Sequence, residues 1–210
     1  MSQTAPYVLV LYYSNHGTTK AIAHGIAKGV VSAGMQARVR TVPNVVIETA
    51  VRKSTCSEQD LPDVGDAYCT MDDLKDCSGL ALGSPTHFGN MAAPLKHFLD
   101  NTVTLWLGGN LQNKPACVFT TSGSTHGGQE TTLLTMMLPL MHHGMMMIGL
   151  PYSEPALKRT VRGGSPYGAS HVSGVMHDQP IEEDELELAV AQGHRLAISA
   201  EALAQANWTR

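Results

Sequence analysis

One pattern recurs along this chain and constrains it more than any other: a short apolar run, a small-residue loop, then a helical period. The first run, Tyr7-Val8-Leu9-Val10-Leu11-Tyr12-Tyr13, is continuous rather than alternating. A strand covered on both faces reads this way, because neither side of its pleat meets water. It ends at Ser14-Asn15-His16-Gly17, after which Ile22, Ile26 and Val30 recur at helical spacing over Thr18–Ala33. Gly34 stops that helix as a residue just past a C-terminus does. Ala37, Val39 and Thr41 alternate with Arg38 and Arg40, which predicts a strand nearer the sheet edge.

The same grammar returns at Leu80-Ala81-Leu82-Gly83 before the loop Ser84–Asn90, with a helix expected over Pro94–Asn101. It returns again at Ala116–Thr120 before Thr121–Gly128, with a helix over Glu130–His143. A fifth apolar run covers Met145–Ile148, and an acidic turn, Glu182–Glu185, opens a last helix to about Gln205, its charges matched to the helix dipole. Strand–helix alternation of this kind predicts an α/β fold with a parallel sheet covered on both faces. Two stretches, Pro43–Asp76 and Gly149–Pro180, fit no element and read as insertions in one domain spanning 1–210.

Composition narrows the function. Charged residues are 15% of 210, against about 25% in an average protein, and the net charge is −4. No basic footprint for nucleic acid is present. Met1–Pro6 is polar and the seven-residue run after it is too short to span a bilayer, so neither a leader nor an integral membrane segment is expected. Four cysteines, Cys56, Cys69, Cys77 and Cys117, form no Cys-x-x-Cys pair, which argues against a zinc ribbon or disulfide scaffold and for a cytoplasmic protein. The methionines Met136, Met137, Met141 and Met145–Met147 suit adaptable core and interface packing.

In open parallel sheets ligands bind beyond the carboxyl ends of the strands, so the three small-residue loops should share one rim. Ser14, Thr18 and Thr19 supply hydroxyls and Gly17 allows close backbone approach at a helix N-terminus, a chemistry suited to phosphate. A helix cap explains the same residues. The loop lacks both Gly-x-Gly-x-x-Gly and the Lys-Ser/Thr ending of a P-loop. Pro85–Asn90 and Thr121–Gly128 add amides, glycines and rings fit to wall a flat heterocycle.

Five strings together carry a resemblance: Tyr12-Tyr13-Ser14-x-x-Gly17, Pro85-Thr86-x-Phe88-Gly89-Asn90-Met91, Gly127-Gly128-Gln129-Glu130, His142-His143-Gly144-Met145 and Arg162-Gly163-Gly164-Ser165-Pro166-Tyr167-Gly168-Ala169. The chain resembles the WrbA family of flavodoxin-like, FMN-carrying NAD(P)H:quinone oxidoreductases from about Tyr7 to Leu203. The resemblance implies a doubly wound five-stranded sheet of order 2-1-3-4-5 and a homotetramer. It places FMN against Ser14, Asn15, His16, Gly17, Thr18 and Thr19; against Pro85, Thr86, His87, Phe88, Gly89 and Asn90; and against Thr121, Ser122, Gly123, Ser124, Thr125, His126 and Gly127. It adds His142 from a helix end, and for substrate His16 and Trp106, the latter beside a neighbouring subunit's flavin. No side chain is required as a nucleophile and no metal is implied. The sequence departs from the family at His16, where Tyr is common, at His87, where Arg is frequent, and in a third loop longer by one residue at Thr125-His126.

The expected reaction is a ping-pong transfer of two electrons from NAD(P)H through FMN to a quinone, with His16, His87 and solvent all open as proton sources. A flavodoxin-type one-electron carrier and a non-enzymatic flavin-bound interaction protein are the competing readings. Without the resemblance, His142-His143 reads as an ordinary helix end and Trp106 as core.

Overall fold

The computed structural model describes residues 5–45 and 65–206. Its strands are β1 Tyr7–Tyr12, β2 Gln36–Thr41, β3 Gly79–His87, β4 Asn90–Met91, β5 Pro115–Ser122, β6 Met146–Met147 and β7 Ser170–Val172. Its helices are α1 Thr18–Ser32, α2 Met71–Asp76, α3 Ala93–Asp100, α4 Val103–Leu107, α5 Gln129–His142, α6 Ala156–Arg159 and α7 Glu183–Gln205. The parallel strands run β2-β1-β3-β5-β6, which is the expected 2-1-3-4-5 when the main strands alone are counted. β1 is an interior strand, with Val8 opposite Ala37 on one side and Gly79 on the other.

The continuous apolar run of β1 is explained by its two faces. Tyr7, Leu9 and Leu11 pack with Leu95, Phe98, Leu133 and Leu140 from α3 and α5. Val8, Val10 and Tyr12 pack with Ile22, Ile26, Val30 and Leu196 from α1 and α7. Successive side chains of a strand point to opposite faces, so a sheet clad on both sides needs apolar residues at every position. The α1–α7 contact depends on glycine: a Cβ at Gly29 would overlap the Val190 carbonyl, and one at Gly193 the Ile26 carbonyl.

Three sequence expectations are corrected. First, β3 does not stop at Gly83; it continues through His87 and turns back into β4, with Thr86 opposite Met91. The supposed loop Ser84–Asn90 is thus mostly a hairpin, its turn formed by Phe88 and Gly89 at φ 54° and 74°. Second, Pro43–Asp76 contains structure: Tyr68 bridges Thr41, and α2 opens on a capping box of Thr70 and Asp73. Asp73 also accepts from Arg38 and Arg40 at 2.8 and 3.0 Å, pinning α2 to the edge strand. The remainder of that stretch lies outside the described residues.

Third, Gly149–Pro180 is not structureless. β6 pairs with Pro115 and Ala116, and β7 with Thr120, Thr121 and Ser122, so one outer strand is split in two along the same edge of β5. The intervening residues form α6 and pack through Leu150, Ala156 and Leu157 against Leu188 of α7. Opposite the break, Val118 of β5 keeps Leu82 on its inner edge but has no strand partner on its outer one. The buried Gln192 side chain takes that place, donating to the Val118 carbonyl at 3.0 Å and accepting from Ala169 N–H at 2.8 Å. A buried backbone acceptor left unpaired is costly, which gives the polar residue on an apolar helix face its reason. Nearby, His171 Nδ1 lies 2.7 Å from Glu185 Oε2, both fully buried, tying β7 to α7.

Candidate functional site

The carboxyl ends of β1, β3, β5 and β7 meet at one rim. A cleft of about 200 Å³ opens there, lined by Asn15, His16, Thr18, Thr19, Pro85, Thr86, His87, Thr121, Ser122, Gly123, Ser173 and His177. Ten of these twelve were singled out from sequence. The first loop is built by Gly17 at φ +85°, whose backbone N–H donates to Ser14 Oγ at 3.0 Å. α1 therefore starts with no side-chain cap and no acidic residue in its first turn. Its free N–H groups and dipole are left facing the cleft, and no more distant part of the described chain comes within 4 Å of where a Gly17 Cβ would stand.

Hydroxyls weld the walls together. Thr19 Oγ1 and Thr121 Oγ1 share a 2.8 Å hydrogen bond across α1 and β5, and Thr18 donates to the same Thr121 oxygen at 3.5 Å. Thr132 donates to Thr86 Oγ1 at 2.6 Å, holding the β3 end against α5. The third loop folds on itself: Ser122 Oγ donates to the Ser124 carbonyl, and Gln129 Nε2 to the carbonyls of Ser124 and Thr125. Ser124, Thr125, His126 and Gly127 thus sit above the cleft as a constrained loop. Phe88, at the hairpin tip with Gly89 and Asn90, is fully exposed beside the opposite wall.

Among the described residues the lining holds no lysine, arginine, aspartate or glutamate, and its ionisable side chains are three histidines. Neutral hydroxyls, free amides at a helix N-terminus and a glycine that admits a ligand closely are the donor set a phosphate monoester needs, and the hairpin and third loop bracket the space beside it. The residues present therefore fit FMN.

Two of the proposed site residues are elsewhere. His142 ends α5, a 14-residue helix that begins at the cleft rim and so carries His142 about 20 Å away toward the opposite end of the sheet. Trp106 of α4 meets it there, its Nε1 donating to the His142 carbonyl at 2.9 Å. Together with Leu99, Asp100, Thr102, Val103, Pro139 and His143 they line a second cleft of about 370 Å³. Within one chain neither residue reaches the first cleft. Trp106 is also half exposed rather than core. The neighbouring His143 is a helix-end residue with a structural bond: Thr102 Oγ1 donates to the Leu99 carbonyl and so accepts from His143 Nε2 at 2.9 Å. Its Nδ1 is buried with no hydrogen-bond partner among the described residues, and burial, with the charge of His142 second, holds its pKa below the usual histidine value.

Sequence reasoning missed Ser173 and His177. They lie on a strap that follows β7, and the three-residue strand Ser170–Val172 followed by Gly174 was the available signal. The strap is closed by Ser173 N–H donating to the Ser122 carbonyl, His177 N–H to the Gly174 carbonyl and Gln179 N–H to the Ser173 carbonyl, at 2.8, 3.1 and 2.9 Å. It sets the His177 ring flat on His16, centroids 4.0 Å apart and 15° from parallel.

A parallel sheet with this strand order and a phosphate-type cradle at its carboxyl rim defines a flavodoxin-like protein. A family model described as NADPH-dependent FMN reductase matches residues 6–154. The chain is 40% identical over 193 residues to an NAD(P)H dehydrogenase (quinone) of Solidesulfovibrio magneticus, covering 90% of this chain and 95% of the relative. A second relative of that name, from Paracoccus denitrificans, is 40% identical over 200 residues, covering 93% and 94%. Among solved structures, a flavodoxin described as WrbA-like from Agrobacterium tumefaciens superposes with TM-score 0.64 at 20% identity, over 95% of this chain and 99% of that one, which speaks to fold. The chain belongs to the NADPH-dependent FMN reductase family, among relatives named NAD(P)H dehydrogenase (quinone), in agreement with the resemblance drawn from its motifs.

Proposed function

We propose that this protein is an FMN-dependent oxidoreductase that passes two electrons from NAD(P)H to a quinone in a ping-pong cycle. The observation that supports this most directly is the neutral, uncapped N-terminus of α1 facing a cleft walled by the Pro85–Asn90 hairpin and the Thr121–Gly127 loop. Bound FMN would supply the hydride chemistry. The protein's part is to hold and orient. Ser14–Thr19 take the phosphate through N–H and hydroxyl donors, Thr86, His87 and Phe88 line one side of the ring system, and Thr121–Gly127 line the other.

Trp106 and His142 enter this reading as residues lent to a neighbouring copy. They sit side by side on the surface, and Val103, Leu107, Leu138 and Met141 around them are exposed apolar residues. Contiguous apolar surface of this kind marks association sites. A homotetramer, as the resemblance implies, would bring that patch to another chain's cleft, where Trp106 would flank the substrate. A cytoplasmic location agrees with the free thiols of Cys69, Cys77 and Cys117. Among the described residues no helix is long and apolar enough to cross a membrane.

The test is spectroscopic and kinetic. Titrating the purified chain with FMN should shift and sharpen the flavin absorbance bands, and NADPH should bleach them rapidly in a stopped-flow instrument. Benzoquinone should then restore them, and steady-state double-reciprocal plots should be parallel. A chain that leaves the FMN spectrum unchanged throughout a titration overturns the flavin reading. Negligible direct reduction by both NADH and NADPH would turn it toward a one-electron carrier.

A further inference from the structure

The strap residues Ser173 and His177 have no place in the reading so far, and the cleft's charge has no source in it. Both questions meet at one pair of rings. Among the described residues that line the cleft none carries a fixed charge, and His16, His87 and His177 are the ones that can become positive by protonation. Histidine changes charge between pH 5 and 8, and a phosphate monoester brings one to two negative charges. His16 stands in the phosphate loop between Asn15 and Gly17. His177 lies flat on it at 4.0 Å, its Nδ1 held 3.1 Å from Ser173 Oγ. His177 keeps φ at 57°, a left-handed conformation unusual for a side-chain-bearing residue, which the strap's hydrogen bonds impose. The ring is therefore placed, not loose.

Resting on the flavin reading above, we propose that His16 and His177 form a proton-coupled clamp for the phosphate of a ligand in this cleft: binding takes a proton into the stacked pair. An anion held among the N–H and hydroxyl donors beside the two rings favours a charged ring over a neutral one. Other charged groups nearby are engaged elsewhere or stand back from the lining. Lys20 and His24 of α1 both face Asp66, at 4.0 and 3.0 Å. His171 is paired with Glu185 in the core behind β7. Asp178 follows His177 on the strap, beside Gly174, and His126 is exposed on the third loop. His87, on the opposite wall, is the other titratable group among the described lining residues and serves as the internal control.

Calorimetric titration of the full-length apoprotein with FMN, at pH 7.5 in buffers of differing ionisation enthalpy, reads the protons taken up per flavin bound. The clamp requires an uptake of roughly half to one proton, near zero for riboflavin, which lacks the phosphate. Above pH 7 the FMN phosphate is almost wholly dianionic, its second pKa being about 6. Over pH 7.0–8.5 the wild-type Kd for FMN should then rise several-fold, up to about tenfold per pH unit for one coupled proton. The double variant His16→Gln/His177→Gln should bind FMN with a nearly pH-independent Kd and little uptake, with its thermal transition unchanged because both rings are exposed. Ser173→Ala should give an intermediate uptake. FMN binding by wild type without proton uptake overturns the clamp and leaves the flavin reading standing; failure of wild type to bind FMN overturns both. Uptake that persists in the double variant, or that vanishes instead in His87→Gln, also overturns the assignment to this pair.

Discussion

At the scale of single residues, the cleft owes its shape to hydroxyls that bond to one another as well as facing the ligand space. Thr121 is the clearest case, because one buried oxygen joins β5 to both Thr18 and Thr19. Replacing it with Val keeps the volume but leaves the Thr19 hydroxyl without that partner, a loss of about 1–2 kcal/mol. We expect Thr121→Val to weaken FMN binding roughly tenfold, read by quenching of flavin fluorescence. His143 acts at a distance from the cleft. Its folded pKa lies below that of an unfolded histidine, so between the two the unfolded chain binds more protons. Stability is therefore complete above about pH 6.5 and falls as the solution is acidified through the lowered folded value. Urea midpoints at pH 7.5 and 5.5 should show this decline, and His143→Gln should reduce it.

At the scale of elements, two junctions hold by exact chemistry. α1 and α7 approach until backbone meets backbone at Gly29 and Gly193. Gly193→Ala should push the helices apart and cost about 1–3 kcal/mol, seen as a lowered Tm with the flavin site intact in the remaining folded protein. At the sheet edge, burial works to raise the Asp73 carboxyl, but hydrogen bonds from Arg38, the Thr70 N–H and Arg40 win and hold its pKa below the ordinary carboxylate value. Its contribution is thus present above about pH 4 and lost as pH falls through the folded pKa. Asp73→Asn leaves two guanidiniums short of their partner and should cost about 3 kcal/mol near neutrality, with a smaller acid-dependent loss than wild type shows. Urea titration across pH 3–7 checks both statements.

At the scale of the whole molecule, a flavodoxin-like sheet needs about 150 residues, so roughly 60 of the 210 are extra. One part splits the outer strand and packs α6 on α7, and in doing so carries the chain back to the rim as β7 and the His177 strap. The other lies largely outside the described residues. Leu134, Leu138 and Met141 recur at three- and four-residue spacing along the outer face of α5, all exposed, next to Trp106 and Leu107. A stripe at helical period on the outside of a protein predicts a partner surface. On the proposed homotetramer reading, Leu138→Asp should give smaller species than wild type in sedimentation velocity and, with Trp106 serving a neighbour, lower quinone turnover at least tenfold while FMN remains bound.

The order of elements and the three converging loops were legible in the residues themselves, because periodicity and turn chemistry are local properties. β1 declared its two-sided burial by having no polar position, and Gly17 and Gly34 marked the ends of α1 before any contact was known. Other features could be seen only in three dimensions. Gln192 and Glu185 look like misplaced polar residues on a helix until the broken ladder at Val118 and the His171 ring are set against them. The resemblance places His142 at the flavin, and within one chain the rigid helix α5 carries it to the far end of the sheet. His177 is separated from His16 by most of the chain, and no local pattern pairs them. Local sequence determined the main strands and helices and the loops between them; the tertiary packing decided the β3–β4 hairpin, the split edge strand and which distant side chains face each other, since these depend on the path of the chain in space and not on the spacing of residues along it.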